Sequence, residues 1–313
     1  MKIVVKTPTR LSFFGGGADL PVFYMKHRGI VISMAIDIYQ NLEITNTNQQ
    51  IFYPPEANEN FYWGVLNDFG IGKSGDFGFK ASFDGFIESG LGSSAACAVG
   101  LVAAASKIKG LEMTKAQIAE RAWDIEVNKM KMYGGKQDQY ASVFGGMNVI
   151  FFNKLGIKPD PFERERAEAL VDQTLLFYIG ENRKNPKIQE RLRILNSKQI
   201  KSLMAMVEIS EAAIGYMWTG NWFRLAGLLN ESWKYKKLSN SGMTTDRIDE
   251  IYIKAGEAGA VGGKLCGSGG GGHMIFMVPP EKHAGVTDAL IKLGCTPIDF
   301  KIDWNGVMVK GER

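Results

Sequence analysis

The chain has 313 residues, 45% of them hydrophobic and 22% charged, with a mean hydropathy of -0.10. This is the composition of a soluble globular protein, long enough for two domains of roughly 100–150 residues and a cleft between them. A net charge of +4 spread along the chain does not point to nucleic acid, and no apolar run approaches the ~20 residues of a membrane span or the core of a secretion signal. Cys97, Cys266 and Cys295 are odd in number, widely spaced and without a CxxC, which excludes a disulfide or zinc framework and fits a cytoplasmic protein. His27, His273 and His283 form no metal-ligand pair and read as surface or packing residues.

In chain order, "KIVVK" and "GIVISMAIDIYQNLEIT" read as strands separated by "FFGGGADLPVFYMKHR", in which Asp19 sits ahead of a short helix as its cap. Residues 50–80 are broken by Pro, Gly and Asn, and the aromatic 52–63 stretch offers either packing or contact with a base. Ser93 to Lys109 is an alanine-rich helix, and "TKAQIAERAWDIEVNKMKM" from Thr114 is a second, amphipathic one capped by threonine and closed by Gly134-Gly135. A short helix "KQDQYASVF" and a strand "GGMNVIFFN" then close a first domain at residue 155. After a polar stretch 156–170 come a strand "TLLFYIG", one long helical region from Lys187 to about Lys237, a capped helix from Thr245, glycines 267–272, a strand "HMIFMV", a helix near 281–293 and "DFKIDW". Alternating helices and strands of this kind make an α+β second domain, 156–313.

The chemistry rests on the glycine runs. "GKS" at 72–74 has Asn67 where a Walker loop needs glycine, "GGK" at 262–264 is followed by Leu265, and "GSGGGG" runs into a strand where a dinucleotide fingerprint needs a helix. "ESGLGSSAA" does open a helix, so the backbone N–H groups of residues 90–95 stand at its positive end, where phosphate oxygens bind, unless Gly and Ser merely make a tight turn. Downstream, Glu126 late on the second helix and Asp138 after the Gly134-Gly135 break supply two carboxylates. One can hold magnesium while the other takes the proton of an attacking hydroxyl, although Glu126 alone reads equally well as an exposed helix acid.

Taken in order, "KTPTRLSFFGGGADL", "ESGLGSSAA", "GGKQDQYASVFGG" and "KLCGSGGGGHMIF" resemble the motifs of the GHMP small-molecule kinases over nearly the whole chain. The resemblance implies an α+β, two-domain fold: an N-terminal domain like the second domain of ribosomal protein S5, and a ferredoxin-like C-terminal domain. It also implies ATP and Mg2+ as cofactors. Gly90, Leu91, Gly92, Ser93, Ser94 and Ala95 would be the phosphate loop, joined by Gly269 and Gly270 of the third motif. Ser94 and Glu126 would hold the metal, and Asp138 would be the base with Arg10 beside the reacting hydroxyl.

"GGGADLP" replaces the Gly-Glu-His-Thr-Asp-Tyr run of galactokinases, and with "GKQDQY" it resembles the bacterial D-glycero-D-manno-heptose 7-phosphate kinases. Ala18 stands where those kinases usually carry threonine, and "GENRKNPKIQE" where a serine-rich stretch is usual. The resemblance implies phosphorylation of the anomeric hydroxyl of a phosphorylated sugar. Gly16, Gly17 and Asp19 would bind its hydroxyls, and Arg183 its phosphate, with Lys184 and Lys187 either beside it or in a solvated loop. A non-catalytic ATP- and sugar-binding regulator, or a kinase for another sugar, carries the same motifs, and monomer and homodimer both stay open.

Overall fold

The computed structural model describes residues 1–45, 59–72, 77–86, 89–182, 193–240 and 242–312. Two antiparallel sheets organise it. In the first, β1 (Lys2–Phe14) pairs with β2 (Gly29–Thr45) over most of its length, and the strand order is β10-β1-β2-β4-β5, with β3 (Gly78–Phe83) on the far end of β2. Its β4 (Met147–Asn153) and β5 (Gly156–Pro161) form a hairpin, and β10 (Met308–Glu312) is the last strand of the chain. The boundary expected at residue 155 thus falls inside a hairpin, and the C-terminal strand returns to the first sheet. Backbone pairing across the sheet decides membership, and "GIKPDP" carries too few apolar residues to announce a strand.

The second sheet has the order β7-β8-β6-β9, from β6 (Thr174–Asn182), β7 (Gly262–Leu265), β8 (Gly271–Met277) and β9 (Thr296–Ile298). With helices between β6 and β7 and between β8 and β9, this is the βαββαβ ferredoxin-like arrangement expected for the second half. "DFKIDW" adds one isolated bridge, Ile36 to Ile302, where a strand was expected.

On the first sheet, α1 (Pro21–Tyr24) and α2 (Glu59–Asn67) precede α3 (Ser93–Lys109), α4 (Lys115–Asp124) and α5 (Gln137–Phe144). Helix α3 is small-residued and buried along most of its length, which lets it lie close on β1: a Cβ on Gly100 would stand 2.7 Å from the Thr7 hydroxyl. Thr114 and Gln117 form the capping box of α4. That helix continues as one π turn, Ile125–Lys129, and the last backbone bonds onto it, from the Met130 N–H to the Ile125 carbonyl and from the Met132 N–H to the Glu126 carbonyl, fall short of Gly134-Gly135. Helix α6 (Arg164–Val171) forms within the polar stretch 156–170, and the described part of the long helical region, from residue 193 on, is two helices. They are α7 (Ser197–Thr219) and α8 (Trp222–Ser239), separated by left-handed Gly220. The second half is completed by α9 (Asp246–Ala258), capped by Thr245 as expected, and α10 (His283–Lys292).

One core holds the two sheets together: Leu11, Phe13 and Ile32 of the first half pack with Leu203, Leu229 and Ile275 of the second. Phe61, Tyr62 and Trp63 are buried in the core of the first half, so the aromatic stretch, where described, is packing and offers no base a surface. No described helix is long and apolar enough to cross a membrane.

Candidate active site

Arg10 is the centre of the constellation. Strand β1 carries it inward, 4% exposed, and its Nε and Nη2 donate to the two carboxylate oxygens of Asp138 at 2.7 and 2.6 Å. Its Nη1 donates to the Gly90 carbonyl at 2.7 Å, and its backbone N–H to the Leu91 carbonyl at 3.0 Å. The guanidinium therefore fixes base and glycine loop relative to each other, with the planar two-point geometry that only arginine supplies. Asp138 lies in the first turn of α5, and its side chain remains 25% exposed.

The loop that opens α3 is built from glycines because nothing else fits. Gly90 and Gly92 both take φ of +75°, a Cβ on Gly90 would stand 2.8 Å from the Cys266 carbonyl oxygen, and one on Gly92 would stand 3.0 Å from Asp138 Oδ2. No side chain caps the helix at Gly92, so its first N–H groups are left for an external acceptor. Leu91 and Ala95 point into the core, Ser93 is half-buried and Ser94 is exposed.

The Ser94 hydroxyl hydrogen-bonds Glu126, which is 4% exposed and also accepts from Gln139 Nε2 at 2.7 Å. Burial pushes the Glu126 carboxyl up to about 7, and the neighbouring Asp138 charge adds to this against the two hydrogen bonds. The exposed-acid alternative is thereby replaced: the π turn rotates Glu126 inward, as such turns do at functional sites. Among the described residues no three His, Cys, Asp or Glu side chains gather into a metal cage. A hydroxyl and one carboxylate beside a phosphate-ready helix end still fit magnesium, which prefers few protein ligands plus phosphate oxygens.

Asp19 is 2% exposed and does not cap α1, whose N-cap is Leu20 without a side-chain bond. Instead its Oδ1 accepts from the Gly17 N–H at 2.9 Å, and its Oδ2 from the Gln137 N–H at 3.1 Å, at the start of α5. Burial, with Asp138 nearby, raises its pKa. Gly135 is required here, since a Cβ would stand 1.8 Å from Asp19 Oδ2; it makes room for a carboxylate instead of ending a helix. Gly16 lies against the Ser12 hydroxyl and the Gln137 amide, and Gly17 (φ +105°) against Leu203. Arg183, Lys184 and Lys187 lie outside the described residues.

The third glycine run meets the phosphate loop through Gly267 and Gly272. A Cβ on either would stand 2.6 Å from Gly90 Cα or 2.5 Å from the Ser89 carbonyl oxygen. Gly269 and Gly270 turn the other way, onto Met243, whose carbonyl accepts from the Gly270 N–H at 3.2 Å. His273 closes the seam by donating both its backbone N–H (3.0 Å) and its Nδ1–H (2.8 Å) to the Ser89 carbonyl. Burial lowers its pKa to about 4. The unfolded chain takes up this proton near pH 6.5 and the folded chain only near 4, so stability is full above pH 6.5 and falls as pH drops through that window, by about 3 kcal/mol in all. Urea midpoints measured from pH 7 to pH 4 should fall less steeply for His273→Asn than for the natural chain.

Two further lysines of the site are buried. Lys264 of β7, 1% exposed, donates to the Ser12 carbonyl of β1, and Lys236 of α8, 6% exposed, donates to the Gly267 carbonyl at 2.6 Å. Lys236 ends a helix in the polar "WKYKKLS", and Lys264 follows two glycines, so neither has a local signal of burial.

Compared with known proteins, residues 60–146 match the GHMP kinases N terminal domain and residues 219–292 the GHMP kinases C terminal domain. The D-glycero-alpha-D-manno-heptose 7-phosphate kinase of Campylobacter jejuni is 29% identical over 97% of this chain and 98% of its own length. The mevalonate kinase of Thermococcus gammatolerans is 28% identical over 72% of this chain and 66% of its own. In structure, a D-glycero-D-manno-heptose 1-phosphate kinase from Bacteroides thetaiotaomicron has a TM-score of 0.79 at 21% identity, covering 99% of both chains. The galactokinase of Lactococcus lactis complexed with galactose has a TM-score of 0.75 at 17% identity, covering 99% of this chain and 95% of that one. The first matched stretch contains the glycine loop with Glu126 and Asp138, and the second contains the third glycine run. With the two halves of one family in order on these structural features, the chain belongs to the GHMP kinases, a family of ATP-dependent enzymes.

Proposed function

We propose that this ATP-dependent sugar kinase transfers the γ-phosphoryl group of ATP to the anomeric hydroxyl of D-glycero-D-manno-heptose 7-phosphate. The product, heptose 1,7-bisphosphate, would feed nucleotide-heptose and surface-polysaccharide synthesis. The observation that carries transfer, as against nucleotide binding alone, is the partly exposed Asp138 gripped at both oxygens by Arg10 beside an uncapped glycine-loop helix. Similarity to the Campylobacter jejuni heptose 7-phosphate kinase along nearly the full length of both chains supports the choice of sugar.

In this reading the N–H groups at the start of α3 hold the ATP phosphates, with Gly90 and Gly92 letting the backbone approach them. Ser94 and Glu126 would hold magnesium, which when bound with ATP neutralises charge on the phosphate oxygens. Asp138 orients the sugar hydroxyl and takes its proton late, since phosphoryl transfer is loose and positioning supplies most of the rate. Asp19, with Gly16 and Gly17, faces the sugar from the other side of α5's first turn. Free and phosphorylated hexoses and heptoses assayed for ATP-dependent phosphorylation test the reading: heptose 7-phosphate should give the highest kcat/KM, and EDTA should abolish turnover. A higher value for galactose, fucose or a non-sugar alcohol refutes the substrate.

A further inference from the structure

Arg10, expected beside the reacting hydroxyl, has three of its five donors committed: two on Asp138 and one on the Gly90 carbonyl. Lys236 is differently placed. It lies in the last turn of α8, where a lysine ordinarily reaches into solvent and complements the helix dipole, as its neighbour Lys237 does with Asp249 at 3.3 Å and 35% exposure. The Lys236 side chain turns inward instead, and the partner of its ammonium is a neutral carbonyl, that of Gly267. Among the described residues no carboxylate lies within 4.0 Å of it. A buried ammonium without a counter-ion is costly, and an arriving anion removes that cost.

The surroundings say which anion. The charged and titratable groups facing Lys236 are Arg10 of β1, Asp19 after β1, Asp138 of α5, and Cys266 and Lys264 around β7. Arg10, Asp19 and Asp138 belong to the candidate active site, and the Gly267 turn that Lys236 holds lies directly on Gly90 of the phosphate loop. Burial lowers the Lys236 pKa to about 8.

We propose that Lys236 is a cationic contact for a phosphoryl group between Asp138 and the phosphate loop, an oxygen either of the group being transferred or of a phosphate carried by the acceptor. Arg10 then serves as the positioner of Asp138 and the loop, and Lys236 as the charge the phosphoryl group meets. The inference rests on the kinase reading only in needing a phosphoryl group to enter this site, whatever the acceptor.

The test compares the natural chain with Lys236→Met and Lys236→Arg, using kcat and KM for ATP and for free and phosphorylated sugars, together with Tm. Lys236→Met should lose at least tenfold in kcat/KM, Lys236→Arg should restore most of it, and KM for ATP should move less than threefold. A fall in kcat with every acceptor marks the transferred group; a rise in KM confined to phosphorylated acceptors marks the acceptor's own phosphate. Unchanged kcat/KM in Lys236→Met, or equal losses in both variants with equally lowered Tm, overturns the proposal. If the natural chain phosphorylates none of these sugars, the substrate reading fails by itself. Lys236 is then judged by inorganic phosphate titrated into the ADP-loaded protein: at least fivefold weaker binding in Lys236→Met supports the contact, and equal binding overturns it.

Discussion

Asp138→Asn should lower kcat about a thousandfold or more and leave the affinity for ATP within about threefold, because the base is lost while the loop, Ser94 and Glu126 stay. The same substitution removes the charge that Arg10 grips with two bonds in a site where the guanidinium is 4% exposed. Breaking a buried pair on one side costs about 3 kcal/mol, somewhat less here because Asp138 is a quarter exposed and its amide still accepts one bond. Single-turnover rates, nucleotide binding and urea midpoints separate the two effects. Turnover within tenfold of the natural enzyme would remove Asp138 from the role of base.

Gly90→Ala carries the second large effect, and it reaches activity through the backbone. A Cβ there would be strained by the left-handed φ of +75° and would also stand 2.8 Å from the Cys266 carbonyl, so the phosphate loop and the third glycine run must separate. Separation draws the Gly90 carbonyl from Arg10 and the Ser89 carbonyl from His273. KM for ATP should rise at least tenfold, kcat should fall at least a hundredfold, and stability should drop by about 2 kcal/mol. Gly72→Ala is the control: nothing lies within 4 Å of its added Cβ, so both constants should match those of the natural chain. A Gly90→Ala variant that kept its KM for ATP would show that the two glycine runs do not act together.

How far the sequence led differs between the elements. Helix α3 and the cap of α4 were legible because their signals are local: alanine composition, and a threonine three residues before a glutamine. Of the second sheet, β6 and β8 were legible as apolar runs, whereas the short β7 and β9, the apolar-poor β5, and β10, whose partner β1 lies at the other end of the chain, were not. Glycines were the most deceptive residues. Gly134-Gly135 has the look of a helix stop, but Gly135 clears space for Asp19, and within the third glycine run Gly267 and Gly272 meet the phosphate loop while Gly269 lies against Met243. Asp19 likewise has the local look of a cap for the helix after it, and serves the start of one 118 residues on.

The kinase class was legible without the structure because the loop, the acids and the third glycine run occur in an order that resembles the GHMP motifs, and backbone N–H groups at a helix start need only a short-range pattern to form. Tertiary structure alone decided what each charge does: that Arg10 spends its donors on Asp138 and Gly90, that a π turn buries Glu126, and that Lys236 faces inward. Charge placement of this kind depends on groups brought together from β1, α3, α5, α8 and β7, and desolvation and pairing exist only once those elements have packed.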